Sequence, residues 1–203
     1  MTTYPVSESE LLLDDMDKMR KLDPGGVMNV VAGFSNQLDG ALRISNDIDL
    51  PDDLRGLKKI VTVGVGGSGI SGDITRELIS HEAEAPMVVV KGYNLPAFVD
   101  RETLVFISSY SGNTEETLSA YEIARARGAR VVCVTSGGQM LKNASRDHVP
   151  VIVVPTGFPP RCALAYLLTP VLVTLGRLGY VEDKIEPMNE AIRLIEDLTR
   201  VIC

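Results

Sequence analysis

Between Leu57 and Pro155, short β-branched runs alternate with longer stretches of helical character, and this alternation restricts the fold more than any other feature of the chain. The runs fall at 59–65, 87–91, 103–109, 129–135 and 149–154. Most are continuously apolar instead of alternating, the pattern of parallel strands covered on both faces. Helical stretches at 70–80, 114–127 and 139–144 lie between them. Strand followed by helix, repeated, predicts an α/β fold: a doubly wound five-stranded parallel sheet with right-handed crossovers, a flavodoxin-like sandwich.

Helical segments flank this unit. Residues 8–20 form one; Val27, Val31, Phe34, Leu38 and Leu42 mark a second at helical spacing, and Asp23-Pro24-Gly25-Gly26 breaks the two apart. Beyond the fifth run, a Leu- and Ala-rich helix is predicted from Pro160 to about Leu178, with Gly179 as its stop and Pro170 as a potential kink. A last helix runs from about Pro187 to the chain end, with Met188, Ile192, Ile195 and Ile202 on one face. The expected division is a helical N-terminal extension over 1–50, a ligand-binding domain over 51–180 and a C-terminal helix over 181–203. The apolar stripe of that last helix is expected to be buried on its own domain, or by a partner or further segment.

With 45% hydrophobic and 23% charged residues the chain has the material for a packed core. A formal charge of −7 removes the broad basic face that nucleic-acid binding needs. Cys133, Cys162 and Cys203 are too widely spaced for a metal site or a disulfide framework, so no metal is expected. The first ten residues are polar and no apolar run reaches membrane-spanning length. A cytoplasmic location and no membrane partner are expected.

In an open α/β sheet, ligands bind beyond the carboxyl ends of the strands. Two loops there carry chemistry. The first, Gly64-Val65-Gly66-Gly67-Ser68-Gly69-Ile70-Ser71-Gly72-Asp73, leaves the first strand and opens a helix. Its glycines allow close backbone approach, and amides at a helix start can face an anion. Gly64, Gly66 and Gly69 match G-x-G-x-x-G, but a dinucleotide site wants an acidic residue at the end of the second strand, which here reads Val88-Val89-Val90-Lys91-Gly92. No cofactor is expected.

The second loop, Ser108-Ser109-Tyr110-Ser111-Gly112-Asn113-Thr114, leaves the third strand and enters a helix. Hydroxyls and free helix amides donate hydrogen bonds that phosphate oxygens accept. Each charge-assisted bond contributes about 1.5–3 kcal/mol, and the helix dipole about 0.3–1 kcal/mol more. Asn113 with Glu116 also fits a simple helix cap, but capping needs one such residue and leaves Ser109, Ser111 and Thr114 unexplained together. A third loop, Thr135-Ser136-Gly137-Gly138, either lines the same pocket or is a plain turn.

These two loops, followed by Phe158-Pro159-Pro160-Arg161, resemble the SIS (sugar isomerase) domain. The three motifs in this order resemble, within that superfamily, the bifunctional phosphoglucose/phosphomannose isomerases found mainly in archaea, over most of residues 40–200. The resemblance implies a small sugar-phosphate ligand and interconversion of glucose 6-phosphate or mannose 6-phosphate with fructose 6-phosphate. It implies that Gly67, Ser68, Ser109, Ser111 and Thr114 bind phosphate and that Arg161 faces the reacting carbons. A fixed cation suits that position, because proton transfer between C1 and C2 passes through an enediolate. Family members carry two SIS domains, and their proton-transferring glutamate and ring-opening histidine belong to the second. The resemblance therefore implies a homodimer or association with a second SIS domain. A non-catalytic phosphosugar sensor is the alternative. His81 and His148 are both placed at the amino edge of the sheet, a strand length of roughly 17–20 Å from the ligand edge.

Overall fold

A computed structural model describes residues 15–202, with the side chain of Ile202 left out. The residue 8–14 part of the first predicted helix, Ile202's place on the apolar face and Cys203 lie outside what is described. Five strands form one parallel sheet: β1 (Lys59–Val63), β2 (Met87–Val90), β3 (Thr103–Ser109), β4 (Arg130–Thr135) and β5 (Val151–Val153), in the order β2-β1-β3-β4-β5. The expected doubly wound sandwich is the one observed. The strand order reverses direction between β1 and β3, and that switch point opens a crevice at their carboxyl ends.

Every residue of β3 is buried. Its side chains alternate between two cores, as a strand's period of two requires. Leu104 and Phe106 join Ile60, Val132 and Val134 on one face; Val105 and Ile107 join Val61, Val63, Val131 and Cys133 on the other. The first face is covered by helices α3 (Phe34–Asp47) and α7 (Leu164–Leu178), with α4 (Gly67–Ile79) adding Ile79. The second is covered by α5 (Glu115–Ala126) and α6 (Gly138–Arg146) through Ala120, Tyr121, Ala124, Met140 and Ala144.

The flanking helices differ from expectation in their breaks. The segment marked by Val27 to Leu42 is two helices, α2 (Val27–Ala32) and α3, parted at Gly33. A short α1 (Met16–Leu22) precedes them. Asp23 accepts the amides of Val27 and Met28 at 2.8 Å each, so the break is also a cap for α2. The helix expected from Pro160 is a single 3-10 turn, Pro160–Cys162, followed by α7, in which Pro170 sits without ending the helix. Gly179 closes α7 with φ +81°, as its sequence position predicts. The last helix, α8 (Ile185–Ile202), starts two residues early, and its Met188, Ile192 and Ile195 lie against Leu38, Leu42, Ala165 and Val173. Leu194, Leu198 and Val201 form a second, exposed stripe. No helix among the described residues is long and apolar enough to cross a membrane.

At the amino edge, α6 ends on Asp147, whose carboxylate takes two bonds from Arg146 (2.8 and 3.0 Å) and one from the hydroxyl of Tyr121 (2.8 Å). The Arg146 bonds, helped by Tyr121, hold its pKa down at about 2. Because the folded value lies below the ordinary carboxylate value near 4, the stabilisation is complete above about pH 4 and is lost as pH falls towards 2. Replacing Asp147 with Asn should therefore lower stability at pH 7 and flatten its fall between about pH 4 and 2, measured by urea unfolding across that range.

Candidate phosphate-binding site

β1 and β3 both end in residues that turn out of the sheet beside one another. The turn after β1 leads into α4, whose first residue is Gly67 and second Ser68. The turn after β3 carries Ser109, Ser111 and Thr114 to the start of α5. The two turns touch: the amide of Tyr110 donates to Ser68 Oγ at 3.3 Å. Ser68 and Ser109 are buried, Thr114 is half-buried and Ser111 is exposed. The Ser109 hydroxyl lies 3.2 Å from Thr114 Oγ1, and Ser111 Oγ accepts the amide of Asn113 at 3.3 Å. As acceptors of backbone N–H groups, Ser68 and Ser111 keep their own hydroxyl protons without an acceptor among the described residues.

Asn113 does not cap the helix that follows it. Thr114 is the N-cap residue of α5 and makes no side-chain cap bond. Asn113 Oδ1 instead accepts the amide of Gln139 at 2.9 Å, capping α6 across the gap between loops. The first-turn amides of α5 are thus left without a side-chain cap, as donors for an incoming anion.

The third loop is part of this construction. Ser136 donates to the carbonyl of Tyr110 through both its amide (3.0 Å) and its hydroxyl (2.6 Å), and the amide of Met140 donates to the Gly112 carbonyl at 2.8 Å. Gly112 has φ +69°, and a Cβ there would overlap the carbonyl oxygen of Gly137. Glycine is required at Gly112 by both backbone angle and space.

Arg161 lies on the 3-10 turn and its side chain is exposed. Its backbone leans on the first turn of α4: a Cβ on Gly67 would meet Pro160 O at 2.8 Å and the Cα of Arg161 at 3.0 Å. So Arg161, predicted to start a long helix, is brought beside Gly67 by a separate turn. All six residues singled out in the sequence, Gly67, Ser68, Ser109, Ser111, Thr114 and Arg161, lie at element ends and turns along one edge of the sheet.

Tyr110 and Ser136 carry bonds that sequence reasoning assigned to neither. Tyr110 is buried at 6% exposure, and its hydroxyl donates to Pro155 O (2.8 Å) and accepts the amide of Phe158 (3.0 Å). Its one visible signal was an aromatic ring set among serines. Lys91, after β2, is ion-paired with Asp73 of α4, so this cation is already neutralised. Glu115, in the first turn of α5, takes a long 3.4 Å bond from the Tyr93 hydroxyl.

The histidines lie elsewhere, as expected. His81 follows α4 and is exposed; His148 follows α6, three residues before β5. Two concavities of about 380 and 370 Å³ lie at this opposite edge, lined by Lys58, Glu84 and Tyr180 and by Asp53, Arg130 and His148. They stand a strand length, on the order of 17 Å, from the hydroxyl loop. No cluster of three or more His, Cys, Asp or Glu that would hold a metal occurs among the described residues.

Comparison with known proteins identifies a family and a fold. The family described as "SIS domain" matches residues 53–170. The bifunctional phosphoglucose/phosphomannose isomerase of Caldicellulosiruptor bescii is 39% identical over 168 residues, covering 83% of this chain and 50% of that protein. Its counterpart in Aquifex aeolicus is 42% identical, covering 82% of this chain and 49% of that protein. The chain thus spans about half the length of the curated relatives it matches. Among solved structures, the C-terminal domain of glucosamine-fructose-6-phosphate aminotransferase from Francisella tularensis superposes with a TM-score of 0.62 at 14% identity, covering 86% of this chain and 54% of that one. That likeness bears on the fold.

The close backbone contact at Gly112 gives a direct check. Substituting Ala should cost about 1–3 kcal/mol for the left-handed backbone alone, before the overlap with Gly137 is counted. Chemical denaturation should show the loss, and a variant as stable as the parent would mean that the loops do not touch.

Proposed function

The chain belongs to the SIS domain family, and we propose that it is the phosphate-binding half of an aldose–ketose isomerase acting on glucose 6-phosphate and mannose 6-phosphate to give fructose 6-phosphate. The observation that carries this reading is the convergence of Ser68, Ser109, Ser111, Thr114 and the uncapped amides of α5 at the β1/β3 switch point. These are neutral donors on a chain of net charge −7, and they suit one small dianion better than an extended polyanion.

In this reading, Ser109, Ser111 and Thr114 with the α5 amides take the phosphate oxygens, and Ser68 and the Gly67 backbone close the other side. Gly67 admits the turn that carries Arg161, so the backbone from which the cation extends stands next to the phosphate anchor. A sugar held by its 6-phosphate then presents C1 and C2 away from the loop. A base removes the proton from C2 of the aldose and returns it to C1, while the O2 hydroxyl proton passes to O1; the intervening enediolate carries negative charge on oxygen. The Arg161 guanidinium stabilises that charge as it develops.

The proton-transferring base is not assigned to this chain, because neither His81 nor His148 lies at the ligand edge. We assign that role to a second SIS domain, either in the same polypeptide or in an associated chain. The same observation favours a second reading, in which this unit binds phosphosugar without turnover. The two differ at Arg161: an isomerase needs it for rate and a sensor does not.

Titration of the chain with fructose 6-phosphate tests the site. Ser111→Ala should weaken binding by about 1–2 kcal/mol. Arg161→Ala should leave ground-state binding largely intact and abolish turnover in an assembly that contains the second half. Full turnover by Arg161→Ala with binding lost would mean the two roles are reversed.

A further inference from the structure

We infer that Tyr110 is a positioning residue for Arg161, a strut that sets the cation at a fixed distance from the phosphate loop. The inference rests on the reading of the site given above and adds to it a residue that touches no substrate. Tyr110 stands between two of the phosphate-loop serines, Ser109 and Ser111. At the end of a strand, neighbouring side chains point to opposite faces. The ring of Tyr110 enters the core at the sheet edge, in the same cluster as Phe106, Val154 and Tyr166, and Ser109 therefore faces away from that core.

The polar groups of this one residue join three other loops. Its amide bonds Ser68 after β1, its carbonyl takes two bonds from Ser136 after β4, and its hydroxyl bridges Pro155 and Phe158 after β5. The last bridge is the informative one. Residues 154–159 form no helix or strand, yet they deliver Arg161 to the site. Across this stretch the Tyr110 hydroxyl donates to one carbonyl and accepts one amide, which pins both ends of a short span. On the other side, the 3-10 turn rests on Gly67. The Arg161 backbone is held between the phosphate-binding turn of α4 and a segment tied to the phosphate-binding loop of β3. Stabilisation of a developing oxyanion depends on a preorganised charge, and a cation on an untethered coil would spend that advantage in reorganisation.

Tyr110→Phe removes the hydroxyl and keeps the ring, so the phosphate donors stay in place. Two probes separate the effects: inorganic phosphate, which reports the loop alone, and a phosphorylated hydroxamate, whose planar anionic head mimics an enediolate. By calorimetry, Tyr110→Phe should bind inorganic phosphate within about twofold of the parent and the hydroxamate about tenfold more weakly. In an Arg161→Ala background, the same substitution should cost the hydroxamate nothing further. A structural role without positioning would give losses that simply add, or a matching loss on inorganic phosphate, and either would overturn the inference. Hydrogen exchange at the Phe158 and Cys162 amides should speed up in Tyr110→Phe while exchange within β3 is unchanged; unaltered protection there would also overturn it. Should Tyr110→Phe fail to fold, Phe158→Pro removes the same bond from the other side, at a residue whose following proline already favours extended backbone. If the parent chain binds neither probe, the phosphosugar reading fails and the inference with it; normal phosphate binding with additive losses removes the inference alone.

Discussion

The site depends on two backbone turns meeting without side chains between them. At Gly112 and Gly138 the loops after β3 and β4 press on one another's carbonyls, Gly137 O and Ser111 O, and a Cβ on either glycine would close that approach. Once the loops touch, other features follow. Asn113 reaches across to the amide of Gln139, Ser136 reaches back to the carbonyl of Tyr110, and the start of α5 is left without a side-chain cap. An uncapped helix start at the edge of a buried sheet is costly unless water or a ligand takes the amides. The geometry that leaves those donors open is therefore the basis of the anion site proposed above.

Much of this was legible in the sequence, for a physical reason. The strands are continuously apolar because the sheet is covered on both faces, and β3, wholly buried, is the clearest of them. The hydroxyl loop was readable because four aliphatic hydroxyls and a glycine within seven residues exceed what capping requires. The helix breaks were less legible. Gly33 divides a continuous apolar periodicity, and the pattern of Val27 to Leu42 is indifferent to a one-residue interruption. The 3-10 turn at Pro160–Cys162 was hidden because proline at a helix start is equally good in either geometry.

What the sequence could not supply was partnership across loops. Asn113 looked like a cap for its own helix, since local spacing is all that a linear reading sees; the structure gives its oxygen to the next helix. Tyr110 was given no role in the sequence, because the partners of its hydroxyl, Pro155 and Phe158, lie more than forty residues away. Lys91 stands at the end of β2, and the partner that neutralises it, Asp73, belongs to another element, α4. In each case the chemistry of the side chain was evident and its address was tertiary.

The division of labour at this edge also has an electrostatic logic. Neutral hydroxyls and amides bind a dianion without importing compensating charge, so their strength comes from number and direction and falls little with distant charge elsewhere on an acidic chain. A guanidinium is different: in the reading given above it acts on charge that exists only while the reaction is under way, so its position matters more than its affinity. In that reading the proposed phosphate donors sit at the ends of a strand and a helix, where the backbone is already fixed, whereas Arg161 arrives on an irregular segment that needs a tether. A phosphate group tolerates small displacements of any one donor, because several share it. A single cation facing a transient oxyanion has no such redundancy, and the bonds that converge on Tyr110 supply the rigidity that the segment itself lacks.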